Sequence, residues 1–595
     1  MKCCRRQKMR RLTNSLFFIF FFLLLGSGSL FSGDVDDAAK TITKERLVRW
    51  LSYLAGDECE GRGTGSEGQE KAAKMIEKIF EDSKLKKFDT LNGYRQTFNI
   101  GRYDLAQQPT FSVDGVTFKD KEDFNVTHFS GEGEVESSLV FCGFGITEPQ
   151  LSYDDYANVD VKGKVVLSFR GAPKLDSKES PFKGSYYHHA HFTDKVKNAI
   201  NHNAAALLII SGIEKDDKNT RFSISMPAVS AIEDTNKIPV LIITPTVARK
   251  LLDKDLKDIK EKIETDMKPN SFTVEGRKIK ISVKLNKKEI STSNICGYIE
   301  GSDEYLKDRY IVIGAHYDHL GKRGNTIYYG ADDNASGTTT VIALVKAFST
   351  LNTPPKRSII FVCFTGEEIG LLGSQHFVNK PPVPLESIDA MLNIDMVGRV
   401  PPGHSASFFG GSFLPVFENL IKKAAEKSNV KPKLTESSGY GSDHISFREK
   451  GIPSIFLIAS NSTDLHTARD TPDKIPYDRM VSVVCAAFHF TYLLADHNGI
   501  IRQRIGKLPV LGLFVETTGE GITITRVLSD SPAAKATLKQ GDIILALNKK
   551  ETKTEEDFET ALKEFADEKE ITLRIRRGDT ETEVKLEIPP PKPMN

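Results

Sequence analysis

Four groups of acids and histidines in this 595-residue chain stand directly behind apolar runs. The run 310–315 leads into His316-Tyr317-Asp318-His319, and 358–364 leads into Thr365-Gly366-Glu367-Glu368. The run 391–394 leads into Asp395, and 455–458 is followed closely by His466. A further group, Gly330-Ala331-Asp332-Asp333-Asn334, precedes a stretch with helical spacing. Carboxylates and imidazoles gathered at one edge of a sheet are costly unless paired or bound to a metal. Imidazole suits zinc, and a carboxylate can bridge two ions. Cysteine is missing from the cluster, which argues against a structural thiolate site. Adjacent Asp332 and Asp333 cannot both be buried and ionised without a cation nearby.

The elements that must position these groups are legible as alternation. The four runs have the length and apolarity of buried parallel strands. Between the first two, Val341, Leu344, Val345 and Phe348 fall at helical spacing. Strand–helix alternation from about 290 to 496 predicts a doubly wound sheet. In such a sheet, ligands bind in the crevice outside the carboxyl ends of the strands, and these groups would converge there. Upstream, 47–80 reads as two helical pieces broken by the glycine-rich stretch 61–65. Residues 111–283 read instead as short β-like runs separated by Pro and Gly. A polar linker at 497–507 leads to a last unit of short strands with one amphipathic stretch, 556–565.

The ordered blocks "IVIGAHYDHLG", "GADDNASG", "FTGEEIGLLGS", "NIDMVG" and "LHTARDTPDKI" resemble the M28 family of metallopeptidases, dinuclear zinc aminopeptidases and their carboxypeptidase relatives. The resemblance implies that His316 binds one zinc, that Asp332 bridges both, and that Glu368, Asp395 and His466 complete the ligand set. It makes Glu367 the general base. Asp318 would hydrogen-bond the His316 imidazole from behind. "SGYGSDHISF" resembles the family block whose tyrosine steadies the oxyanion, which nominates Tyr440. His319, Asp443 and His444 lie in these blocks without matching a ligand position, and read as packing or supporting residues. The implied cofactor is two zinc ions per chain and the implied substrates are peptides. Carboxypeptidase or dipeptidase action, a one-zinc cyclase and a non-catalytic receptor on the same fold are the alternatives.

Flanking segments carry their own resemblances. Residues 56–76 resemble the opening helices of the same peptidase fold, so the catalytic domain would be split. The insert, with "DYANVDVKGKVVLSFRG" and "NHNAAALLIISG", resembles a protease-associated (PA) domain. The C-terminal block "LKQGDIILALN", with Leu511-Gly512-Leu513-Phe514 as a carboxylate-binding loop, resembles a PDZ domain that takes a protein or peptide ligand. The expected layout is a signal peptide at 1–32, peptidase segments at 34–115 and 286–498, the PA-like insert at 116–285, and a PDZ-like α+β domain at 507–589.

Bulk properties agree with an exported enzyme. Lys2, Arg5, Arg6, Lys8, Arg10 and Arg11 precede an apolar run, 16–25, and then Gly26-Ser27-Gly28-Ser29. That run is too short to span a bilayer, which takes about 20 residues, and fits a signal sequence. Export to a periplasmic or extracellular space is expected, with membrane attachment only if the signal is uncleaved. Removing those six bases from the chain's 81 leaves fewer bases than its 80 acids, so there is no nucleic-acid footprint. The remaining cysteines, Cys59, Cys142, Cys296, Cys363 and Cys485, are odd in number and scattered, and imply no disulfide framework. HExxH and GxSxG motifs are absent from the sequence. His188, His189 and His191 read as a local loop feature.

Overall fold

The computed structural model describes residues 33–588 apart from 128–129, 176, 178–179, 183–188, 214–237, 438, 440, 461, 503, 506–507 and 520. The expected signal sequence and Tyr440 therefore lie outside the described residues, as does His188. Two compact units emerge, one made of the chain up to Thr97 and from Ser293 onward, the other of Phe98–Thr292. The divisions fall inside two long strands, β1 (Arg95–Leu105) and β2 (Leu285–Ile299). Strands that run unbroken through a boundary carry no Pro or Gly punctuation there, which is why the sequence put the divisions near 115 and 285.

Two helices open the first unit, α1 (Lys44–Leu54) and α2 (Glu67–Asp82). Thr43 and Ser66 cap them by accepting backbone N–H bonds from Arg46 and Gln69. The sheet that follows contains β1 and β2, then β3 (Tyr310–His316), β4 (Ser358–Phe364), β5 (Ile388–Ile394), β6 (Ser405–Phe409), β7 (Lys431–Thr435) and β8 (Ser454–Ile458). Its order is β1-β2-β4-β3-β5-β8-β6-β7. Strands β4, β3, β5 and β8 are mutually parallel and sit in the middle, while β2 runs antiparallel to β4, and β6 runs antiparallel to β8 but parallel to β7. The mixed, doubly wound α/β architecture is the expected one. Every residue of β4 and β5 is buried, as continuous apolar runs require when helices cover both faces.

Helix α3 (Gly337–Phe348) is buried almost all round and follows the acidic turn Ala331–Ser336. Helix α4 (Tyr477–Ala495) is the one helix among the described residues long and apolar enough to cross a bilayer. Its Met480, Val483, Val484, Ala487 and Phe488 are instead packed into the main core.

The linker after α4 is pinned rather than loose. The buried Arg357 donates to the carbonyls of His497 and Gly499, and Arg502 donates to those of Leu385, Ile388 and Lys450. The C-terminal part comprises β9 (Leu513–Thr518), β10 (Gly521–Val527), β11 (Ile543–Leu547), helix α5 (Glu555–Glu564), β12 (Glu570–Arg577) and β13 (Thr580–Glu587). Its sheet order is β9-β10-β11-β12-β13, around its own core of Ile522, Ile544, Leu573 and Leu586.

Among the described residues, the main sheet of the second unit has eight strands in the order 116–117, 110–113, 272–283, 133–141, 165–169, 206–210, 240–243 and 124–126. It is β-rich as read, with helices Phe192–Asn201, Pro245–Leu252 and Leu256–Asp266 and an apolar core on each face.

Candidate metal centre

Because β3, β4, β5 and β8 are parallel, their carboxyl ends lie along one edge, and the residues that follow them meet there. His316 closes β3, Glu367 and Glu368 lie on the turn after β4, and Asp395 follows β5. His466 comes from the loop after β8. The acidic turn before α3 delivers Asp333 into the middle. Asp333 Oδ1 lies 3.4 Å from His316 Nε2, and its Oδ2 lies 3.1 Å from His466 Nε2. His316 Nε2 is also 3.5 Å from Asp395 Oδ1, and His466 Nε2 is 3.0 Å from Glu368 Oε2. Two donors on one tetrahedral zinc, with bonds of about 2.0–2.1 Å, stand about 3.3 Å apart. The pairs around His316 and around His466 match that spacing, and one carboxylate spans both sets. Buried His316 Nε2 and Asp395 Oδ1 have no hydrogen-bond partner among the described residues, as atoms awaiting a cation would. The donor set fits two divalent ions.

The central carboxylate corrects the sequence expectation, which assigned the bridging position to Asp332. Asp332 is turned away, and its Oδ1 accepts the backbone N–H groups of Gly398 and Arg399. Its backbone N–H and that of Asp333 donate to Asp470, which fixes the turn so that only the second carboxylate reaches the cluster. Burial, with Asp470 adding to it, raises the Asp332 pKa to about 7. Asp333 behaves oppositely. Burial opposes its charge, but His319, His316 and His466 outweigh that and hold it well below the usual range. The same field holds His316 and His466 well above the ordinary histidine value, because the facing carboxylates outweigh burial.

Asp318 also differs from expectation. Its carboxylate Oδ1 stands 3.7 Å from His316 Nδ1, while its backbone carbonyl is at 3.2 Å and takes the hydrogen bond. The carboxylate instead accepts the backbone N–H groups of Glu367 and Glu368 and the Thr64 hydroxyl. It thus holds the turn that carries the expected base. Glu367 Oε2 lies 3.9 Å from His316 Nε2. Burial, reinforced by Glu368 and Asp443 against the pull of His316, pushes its pKa well up. Asp443 is wholly buried nearby, its pKa raised to about 7, chiefly by burial, and His444 stacks on Phe456 at 4.8 Å. Away from this cluster, His189 pairs with Glu148 at 3.1 Å.

Several supporting residues carried no role in the sequence reading. Arg62 is fully buried, and its guanidinium donates to the carbonyls of Leu54, Tyr317, Tyr329 and Gly330. Its own carbonyl accepts the His319 N–H. One side chain thereby ties the loop after β3 to the acidic turn. Ser442 Oγ donates to Asp395 Oδ2 at 2.9 Å, which leaves Oδ1 facing His316. Asp464 accepts from Arg399, Arg469 and Lys474 and braces the His466 loop, where His466 takes a left-handed φ of 55°. Arg62 lies in the segment 56–76 and Ser442 in the block "SGYGSDHISF", but nothing in their spacing marked them.

Residues 294–491 match the model of Peptidase family M28, and residues 509–588 match that of the PDZ domain. Leucine aminopeptidase 1 of Metarhizium robertsii is 31% identical over 204 residues, 32% of this chain and 52% of that protein. Aminopeptidase YwaD of Bacillus subtilis is 27% identical over 351 residues, 56% of this chain and 64% of that protein. The chain thus spans about half to two thirds of the length of these curated relatives. Among solved structures, an aminopeptidase from Aneurinibacillus sp. strain AM-1 superposes with a TM-score of 0.56 at 20% identity, covering 79% of this chain and 98% of that one. That likeness establishes the fold.

Proposed function

We propose that this chain, whose residues 294–491 form a Peptidase family M28 domain, is a metal-dependent exopeptidase that uses two zinc ions to remove residues from the N-terminus of peptides. The observation that carries the reading is Asp333, whose two carboxylate oxygens face His316 on one side and His466 on the other. His316 and Asp395 would hold one ion, His466 and Glu368 the other, and Asp333 both. The related proteins are named aminopeptidases, which supports the direction of cleavage.

When bound, the ions would lower the pKa of a water molecule between them and polarise the scissile carbonyl. The chain's own part is proton handling and positioning. Glu367 is set to take a proton from the attacking water and deliver it to the leaving amine. Asp318 fixes its turn through the Glu367 and Glu368 N–H groups. His466, with a side chain 26% exposed while that of His316 is at 1%, marks the side from which substrate enters.

Residues 509–588 supply a peptide-binding module. The unit Phe98–Thr292 is read as a PA-like domain, and residues 1–32 as an export signal to a periplasmic or extracellular space.

Hydrolysis of paired peptides, one free and one acetylated at the N-terminus, tests the function. Cleavage of the free peptide alone, abolished by a chelator and restored by zinc, is the expected result. Trimming of the blocked peptide from its C-terminus would move the assignment to a carboxypeptidase. No cleavage by metal-replete protein would move it to a binding protein.

A further inference from the structure

The two outer carboxylates of the cluster are held in the same way by different residues. Asp395 gives one oxygen to the Ser442 hydroxyl, and its other oxygen faces His316. Glu368 gives Oε1 to His319 Nδ1 at 2.6 Å, and its Oε2 faces His466 at 3.0 Å. A separation of 2.6 Å is that of a charge-assisted hydrogen bond and is too short for two donors flanking one ion. Since an ionised carboxylate only accepts, Nδ1 carries the proton and cannot also ligate. His319 Nδ1 is moreover 3.7 Å from Asp333 Oδ2, farther than His466 is from the same oxygen.

We propose that His319 is a positioning residue for the metal centre: its imidazole fixes Glu368 so that a single oxygen, Oε2, is offered to the ion shared with His466. The inference rests on the two-ion reading above and adds a residue to it.

The surroundings hold the ring in place. Its side chain is fully buried, its backbone N–H is taken by the Arg62 carbonyl, and its ring lies 5.9 Å from that of His466. Gly330 lies against it with φ 56°, and a Cβ there would stand 2.5 Å from the imidazole. The ring thus lies against a residue without a side chain. The other ring nitrogen, Nε2, is buried and has no hydrogen-bond partner among the described residues, but unlike His316 Nε2 it does not face the shared carboxylate: Glu368 and Asp333 both stand on the Nδ1 side of the His319 ring.

Cobalt(II) titration of the full-length apoprotein, followed by absorption spectroscopy and calorimetry, distinguishes positioning from ligation. The variants are His319→Asn, whose amide can donate from the Nδ1 position, and His319→Ala, which cannot. Positioning predicts that H319A weakens one of two binding steps about 10- to 100-fold, that H319N restores most of the loss, and that neither changes the coordination number seen in the spectrum. Equal weakening in both variants with a changed d–d spectrum would make His319 a ligand and overturn the proposal. Parent-like binding by H319A would overturn it as well. If H319A does not fold, the coordination number in H319N alone decides between the two roles. A parent protein that binds a single ion would sink the two-ion reading instead, and the loss in that one step would still report on His319.

Discussion

At the scale of single residues, the adjacent pair Asp332 and Asp333 makes the sharpest test. Asp333→Asn removes the carboxylate shared by both donor sets, so metal content by elemental analysis should fall well below that of the parent. Asp332→Asn keeps an oxygen able to accept the Gly398 and Arg399 N–H groups. It also matches the protonated state that burial favours, so metal content and turnover should stay within a few-fold of the parent. The reverse outcome would restore the bridging role to Asp332. Sequence alone pointed to this turn but not to the right member of the pair, since the choice is made by the backbone path that Asp470 fixes. His316, Glu368, Asp395 and His466 were legible because each follows a recognisable buried strand. Arg62 was not, because its partners at Tyr317, Tyr329 and Gly330 are more than two hundred residues away in sequence.

At the scale of elements, the sheet of the first unit is braced from the edge opposite the candidate metal centre. Asp389, at the start of β5, is buried and accepts from Arg309 and Arg357, the latter at 2.8 Å. Burial opposes its charge, but the two guanidinium groups outweigh that and hold its pKa below the ordinary value. A depressed carboxylate adds stability that is complete above its unfolded pKa, about 3.9, and is lost as pH falls through the folded value. Breaking a buried pair on one side costs about 3–5 kcal/mol. Asp389→Asn should therefore lower the urea midpoint strongly at pH 6, and the gap to the parent should begin to narrow only below about pH 3.9 and close as pH falls through the depressed folded value, where Asp389 itself becomes neutral. A gap independent of pH would mean that packing, not charge, is lost. Hydrophobic patterning revealed these strands and their order in sequence. It did not reveal their neighbours, because nothing in the residues of β2 or β6 tells which strand each lies against, or in which direction, until the sheet is assembled.

At the scale of the whole molecule, the C-terminal module is fastened to the α/β part of its unit. Arg526 pairs with Asp303, and Phe514 packs on Tyr305 with ring centroids 5.3 Å apart. It contributes no residue to the metal cluster. A chain ended after Ile505, which keeps the Arg502 clamp, should cut small aminoacyl amides at a rate within a few-fold of the parent and keep its metal content. Loss of metal would show that the module supports the catalytic sheet. Arg62 bears on how the chain reaches this state during synthesis. Its guanidinium is buried only when the carbonyls of residues 317, 329 and 330 are in place, and the unit Phe98–Thr292 must be made in between. Until then α1 and α2 lack their core, and of the Arg62 acceptors only the Leu54 carbonyl has been made. A nascent chain stalled before residue 330 should expose these helices to proteases even when the intervening unit has already folded, so the first helices made are among the last parts to become native.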